Sequence, residues 1–276
     1  MKRVRLMGIV NVTPDSFSDG GLFLDPERAI AHGRELAAAG ADILDVGGES
    51  TRPGAEAVGA AEELERVEPV VEGLAGERGP GARISIDTSK RAVAEAALDA
   101  GAEIVNDVGA LRADPQLAGL CAERGCEVVL MHMLGDPRTM QRNPVYDDVV
   151  DDVRAFLAER IGFALSQGIA EELISIDPGI GFGKTAGHNL ELLRRLGELC
   201  ELGRPIVIGT SRKSFIGALA GAEVGERLGG TIATNAIAYA NGAEVLRVHD
   251  VGPVREALSV AEAILDPGRA AEVRDR

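Results

Sequence analysis

RISIDTSKRAVAEAALDAGAEIVNDVG, residues 83–109, contains the unit from which the chain is built. Arg83–Ile86 and Glu103–Asn106 are short runs rich in β-branched and apolar residues, and they read as strands. Between them Arg91–Ala100 is an amphipathic stretch rich in alanine, which reads as a helix. The two strand ends differ in character. The first strand runs into Asp87-Thr88-Ser89-Lys90 and the second into Asp107, whereas the turn that leads back into the second strand is the bland Ala100-Gly101-Ala102.

The same unit recurs outward in both directions. Further strands are expected at Val4–Val10, Ile43–Val46, Glu127–Met131, Leu173–Ile176, Pro205–Ile208 and Val245–Val248. Further helices are expected at Pro26–Ala39, Ala60–Ala75, Pro115–Glu123, Tyr146–Gln167, His188–Leu196, Gly225–Ala240 and Pro253–Leu265. Strands that alternate with helices every roughly 34 residues pair in parallel through right-handed crossovers. Eight such units predict an α/β fold closed into a (β/α)8 TIM barrel, with an open doubly wound sheet as the structural alternative. No linker divides the chain. The expectation is one domain over 1–266 and a frayed tail over 267–276, where Pro267 and Gly268 break the last helix.

The bulk properties agree. A chain of 276 residues, 45% hydrophobic, is long enough for one such barrel. The apolar stretch Leu6–Val10 is too short for a secretory leader and runs into polar sequence. No run reaches the roughly 20 apolar residues of a membrane span. Cys121, Cys126 and Cys200 lack metal-ligand spacing and are odd in number, so a reducing cytoplasm is expected. A net charge of −15 argues against nucleic acid or an anionic membrane as partner. It does not argue against small anions, because exposed charge is screened beyond about 8 Å. Of 29 basic residues only Lys2, Lys90, Lys184 and Lys213 are lysine. An ammonium retained against that bias marks a place where its compact geometry counts.

All eight strand ends lead into reactive or hydrogen-bonding side chains, and a barrel gathers those ends around one cavity. Asp87, Asn106 and Asp177 suit the edge of a neutral heterocycle, since a buried carboxylate accepts an exocyclic amine and a ring N–H side by side. An N-cap role for Asp87 is the plainer alternative. Arg52, Lys213, Arg247 and His249 come from different strand ends and form a cationic group suited to a pyrophosphate. Asn11, with Asp15 nearby, offers a neutral oxygen to a Mg²⁺ held mainly by phosphate and water. His132 reads as a satisfied core histidine, and His32 and His188 as structural. The run Gly179–Lys184 lacks the spacing of a nucleotide phosphate loop, and there is no nucleophile elbow.

Taken together these segments resemble the dihydropteroate synthase family over nearly the whole chain. Met7–Gly21 is similar to its first signature and Asp45–Gly54 to its second. Ile86–Ser89, Ile104–Asp107, Met131–Met133, Asp177–Lys184, Ser211–Ser214 and Arg247–Asp250 follow in the family's order. Gly109 and Ile180 depart from residues common in the family. The resemblance implies that pyrophosphate is displaced from 6-hydroxymethyl-7,8-dihydropterin pyrophosphate by the amine of p-aminobenzoate. It assigns Asp87, Asn106, Asp177 and Lys213 to the pterin, and Asn11, Thr51, Arg52, Arg247 and His249 to the pyrophosphate with Mg²⁺. Phe17, Pro53, Phe182, Ser211 and Ser214 would frame p-aminobenzoate, the pocket that sulfonamide analogues would share. A homodimer is also implied.

The expected mechanism is dissociative. Mg²⁺, Arg247 and His249 stabilise the leaving pyrophosphate while an ionised Asp87 stabilises a pterin-methyl cation. Loops after the first two strands close over that cation and exclude water. Two other readings remain. A methyltetrahydrofolate methyltransferase would share the pterin-reading residues without needing Thr51, Arg52, Lys213, Arg247 and His249. A non-catalytic pterin-binding paralogue would bind without turnover.

Overall fold

A computed structural model describes residues 3–13, 25–51, 54–76, 82–266 and 268. Eight strands form one parallel sheet: β1 (Arg5–Asn11), β2 (Ile43–Gly47), β3 (Arg83–Asp87), β4 (Ile104–Asp107), β5 (Glu127–Met131), β6 (Ile174–Asp177), β7 (Val207–Ile208) and β8 (Val245–Val248). Their order is β6-β5-β4-β3-β2-β1-β8-β7. A parallel bridge between Ile176 and Ile206, with Ile176 N–H donating to the Pro205 carbonyl at 2.9 Å, joins the two ends. The sheet is therefore a (β/α)8 barrel, and the alternative of an open sheet is excluded.

The helices α1 (Pro26–Ala38), α2 (Ala60–Gly76), α3 (Arg91–Asp99), α4 (Gln116–Arg124), α5 (Val149–Ser166), α6 (Ala186–Arg194), α7 (Ser214–Ala220), α8 (Leu228–Ala240) and α9 (Val251–Leu265) surround it. Their starts follow local chemistry. Asp25 accepts the Glu27 N–H with Pro26 in the first turn of α1. Asp148 accepts from Val150 and Asp151, so α5 begins at Val149 rather than at Tyr146. A capping box of Thr185 and His188 starts α6 at Ala186, two residues before the expected His188. The expected helix from Gly225 begins at Leu228, after a separate 3-10 turn at Val224–Glu226. The seven-residue α7 was not expected, because so short an apolar run carries no periodicity of its own.

Strand side chains alternate, and the inward set is layered. Met7, Ile43, Ile104, Val129, Val207 and Val245 form one buried cluster inside the barrel. The much larger cluster, including Leu6, Leu44, Ile84, Leu130, Ile176 and Leu246, packs between strands and helices. Two residues beyond the inner cluster along each strand stand Ile9, Asp45, Asn106, Met131, Gly209 and Arg247. Polar side chains enter the interior at that level, toward the carboxyl ends of the strands. No helix among the described residues is long and apolar enough to cross a membrane. Cys121, Cys126 and Cys200 are free thiols. The expected tail at 267–276 lies outside the described residues except for Gly268.

Candidate active site

The centre of the site is an ionic cluster on the barrel axis. Arg247, on β8, donates from Nε to Asp45 Oδ2 at 2.6 Å and from a terminal nitrogen to Asp87 Oδ2 at 2.8 Å. Asn106 Nδ2 donates to the same Asp45 oxygen at 3.0 Å. Strand register brings these side chains together, since Gly47 pairs with Asp87 and Asp87 with Asn106. Asp87 is therefore not a helix cap. The cap position of α3 is Lys90, which makes no side-chain capping bond. Burial pushes the Asp87 carboxyl up to about 7, against the pull of Arg247 and with Asp45 adding to the rise. Arg247, though desolvated, is held above its ordinary value by Asp45 and Asp87 and stays charged.

A wall beside this cluster comes from the turn after β6. Asp177 Oδ1 accepts the Gly179 N–H at 2.6 Å, and burial raises this carboxyl to about 6 against Lys213, Lys184 and Arg247. Gly181 N–H donates to Asn189 Oδ1 and Tyr146 Oη to the Gly183 carbonyl, each at 2.7 Å. The pinned turn presents the Phe182 ring, and Lys213 Nζ stands 4.1 Å from its centroid. Lys213 is pushed down to about 8 by burial, with Asp177 opposing. Across the wall Met131, Met133 and Met140 pack with Val108 and Phe182 into an apolar surface.

At the opposite rim Ser211 Oγ lies 3.0 Å from His249 Nδ1 and accepts the His249 backbone N–H at 3.2 Å. Arg212, at φ 56°, is locked by two bonds to Asp250 of 3.0 and 2.7 Å. Arg227 braces the same turn by donating to the Arg212 carbonyl at 3.0 Å.

These elements enclose one cavity of about 450 Å³, with Asp45 buried beneath its lining. It is lined by Asn11, Thr51, Asp87, Asn106, Asp177, Phe182, Ser211, Lys213, Ser214, Arg247 and His249, which are the expected site residues that the structure describes. Phe17, Arg52 and Pro53 lie outside the described residues, as does Asp15. His132 is a buried core histidine, packed edge-on against Phe156 at 4.8 Å. Lys90 is a structural lysine that bridges Glu49 and the fully buried Glu63. Ile180, one of the departures from the family pattern, lines the cavity.

The sequence assigns no site role to Asp45 or Lys184. Asp45 has no exposure, yet it fixes both Arg247 and Asn106. Its signal was available, because an aspartate between Ile43 and Gly47 in a two-residue alternation points inward with them. Lys184 is 3% exposed and stands behind the wall. The glycine-rich run around it drew attention to phosphate binding and away from a buried amine.

The chain matches the family described as pterin binding enzyme over residues 7–249. It is 48% identical to the dihydropteroate synthase of Escherichia coli K12 over 260 residues, 94% of this chain and 91% of that protein. It is also 48% identical to a probable bifunctional folylpolyglutamate synthase/dihydropteroate synthase of Haloferax volcanii, but covers only 31% of that longer protein. Among solved structures it superposes on Xanthomonas albilineans dihydropteroate synthase with 4-aminobenzoic acid at a TM-score of 0.89 and 50% identity. That match covers 95% of this chain and 93% of the other. The same enzyme in complex with 7,8-dihydropteroate matches at a TM-score of 0.85 and 47% identity, over 95% and 94% of the two chains. Likeness of this degree extends through every strand end that builds the cavity, and the chain belongs to the dihydropteroate synthase family of pterin binding enzymes.

Proposed function

We infer that the chain condenses 6-hydroxymethyl-7,8-dihydropterin pyrophosphate with p-aminobenzoate, giving 7,8-dihydropteroate and pyrophosphate. The observation that carries this reading is the convergence of Asp87, Asn106 and Asp177 with Lys213 and Arg247 in one cavity. The carboxylates and amide read the donors of the heterocycle, and the cations face its oxygen and the phosphates. Asn106 gives one of its two N–H donors to Asp45, which leaves its amide oxygen and second N–H for the ligand. The apolar wall of Phe182 and Met140 receives flat rings.

The reaction proceeds by heterolysis of the methylene carbon–oxygen bond, the electron pair leaving with pyrophosphate. Arg247 and His249 take up charge on the departing group, and the Asp87 carboxylate stabilises the cation left on the pterin methylene. The arylamine nitrogen then attacks through its lone pair, and the acidic ammonium so formed gives its proton to water or the released pyrophosphate, so no strong base is required. Asn11, half-buried at the end of β1, lines the phosphate side. Among the described residues no three His, Cys, Asp or Glu side chains come together as a metal cage. A single amide oxygen fits Mg²⁺ completed by phosphate and water oxygens, and the bound ion would neutralise charge on the leaving group.

The chain acts in the cytoplasm as a homodimer, and sulfonamides compete at the p-aminobenzoate end. Leu219 on α7 and Ile237 on α8, 62% and 53% exposed, are apolar side chains that a second copy would cover. The deciding experiment is pyrophosphate release by the purified protein from the pterin pyrophosphate with Mg²⁺, with and without p-aminobenzoate. Release that depends on p-aminobenzoate and yields dihydropteroate is the expected result. Tight pterin binding without release would instead make the chain a non-catalytic paralogue.

A further inference from the structure

Behind the wall that carries Asp177 and Phe182 lies a cation with no part in the scheme above. Lys184 Nζ stands 2.8 Å from His132 Nδ1 and donates to the Phe182 carbonyl at 3.0 Å. Burial, with Lys184 and Arg112 adding, drives His132 down to about 2, so its ring is neutral and Nδ1 accepts from the amine. Both hydrogen-bond partners of Lys184 are thus uncharged. Among charged groups Asp177 acts on it most strongly, and Lys213 repels it.

The backbone ties this amine to the front of the wall. His132 N–H donates to the Asp177 carbonyl at 2.9 Å, and Gly179 N–H holds the Asp177 carboxylate from the same turn. A methyl group placed on Gly179 would lie 3.5 Å from Lys184 Nζ. Lys213 and Arg247, which line the cavity, and Lys184 at the back of the turn all pull the Asp177 carboxyl downward against its burial. The remaining titratable group packed against the amine is Tyr146, whose ring centroid is 6.0 Å away and whose hydroxyl burial holds protonated.

We propose that Lys184 is a positioning residue for pterin recognition: from behind the turn its ammonium keeps Asp177 ionised toward the cavity and fixes the backbone that presents Phe182. The inference rests on reading the cavity as a pterin site. A compact ammonium suits the task, because one nitrogen must meet His132 Nδ1 and a carbonyl at a single point where a planar guanidinium would not fit. Burial lowers Lys184 to about 7, just above Asp177 at about 6. The amine is therefore charged in the range where the carboxylate ionises.

The test is binding of 6-hydroxymethyl-7,8-dihydropterin pyrophosphate with Mg²⁺, followed by calorimetry across pH for the unmodified protein, Lys184→Met and Lys184→Gln. In the unmodified protein affinity falls in two steps, as Asp87 takes up its proton near 7 and Asp177 near 6, and the Asp177 limb is the one compared. In both variants that limb moves upward by about one pH unit, the smaller end of what one neighbouring charge does. Binding near the old midpoint then weakens about fivefold, while above the range where Lys184 is charged the Lys184→Gln profile rejoins that of the unmodified protein. Glutamine keeps a donor for His132 and the Phe182 carbonyl, so it retains more of the alkaline affinity than methionine does while showing the same shift. A limb that stays in place in both variants, or affinity lost equally at every pH, overturns the proposal. Failure of the unmodified protein to bind the pterin at any pH would overturn the functional reading, and the proposal with it.

Discussion

Asp45 Oδ2 accepts Arg247 Nε at 2.6 Å and Asn106 Nδ2 at 3.0 Å, so one oxygen of one buried carboxylate orients two residues that face the ligand. Among the described residues its other oxygen, Oδ1, has no partner, and neither has the Ser85 hydroxyl, whose residue pairs with Asp45 across β2 and β3. The arrangement is costly to bury and has no access to solvent, so its maintenance points to function rather than to stability.

Removing this anchor is expected to do two things. Asp45→Ala leaves Arg247 without one of its two carboxylates and lowers unfolding free energy by about 3 kcal/mol, read in urea. It also frees the Asn106 amide, so kcat/KM for the pterin pyrophosphate falls by at least about 100-fold. Asp45→Asn, which keeps an acceptor oxygen, recovers part of both losses. Unchanged turnover in Asp45→Ala would show that Arg247 and Asn106 orient themselves.

Asp87 carries charge where the reaction develops the opposite charge. Asp87→Asn keeps the side chain's shape and removes its negative charge, so kcat is expected to fall by about 100-fold. The dissociation constant for the pterin changes by less than about tenfold, because one hydrogen bond is altered rather than deleted. Near-normal turnover with normal binding would remove the cation-stabilising role.

The pH dependence follows from the same groups. Asp87 at about 7 must be ionised, so kcat/KM rises with pH up to that value, with Asp177 at about 6 steepening the acid side. Lys213 at about 8 must be protonated, so activity declines above it. The expected profile is a narrow bell between those values. Lys213→Arg lowers the maximum by disturbing the Phe182 contact, but it abolishes the alkaline limb because a guanidinium does not titrate there. An alkaline limb that persists in that variant would belong to another group.

The barrel was legible because its signal is local and repeated. Each strand and each long helix declares its own period, and a lost boundary such as Tyr146 for Val149 leaves the topology intact. The cavity residues were legible because barrels collect strand ends, which is why Asn11, Asp177 and His249 meet although they are far apart in sequence. Asp45 and Lys184 received no role from the sequence, since their roles depend on which partner stands opposite. Only the register that sets Asp45 beside Ser85 and Ile9, and the fold of the turn that drives Lys184 against His132, supply that partner.

Gly179 tests how tightly the wall is built. At φ +68° it occupies backbone space that favours glycine, and an added Cβ would lie 1.9 Å from the His132 carbonyl oxygen, far inside contact. Gly54, at φ +85° with nothing among the described residues within 4 Å of such a Cβ, carries the backbone strain without the collision. Gly54→Ala is therefore expected to cost about 1 kcal/mol, the ordinary penalty for left-handed alanine. Gly179→Ala is expected to cost about 3 kcal/mol or more, because the turn must also move away from β5. That movement breaks the alignment of the Asp177 carboxylate with the cavity, so KM for the pterin pyrophosphate rises while KM for p-aminobenzoate changes less. Thermal unfolding and steady-state kinetics on the two variants separate strain from crowding. Equal losses in both would mean that the turn yields at His132 and that close packing is not what holds Asp177 in place.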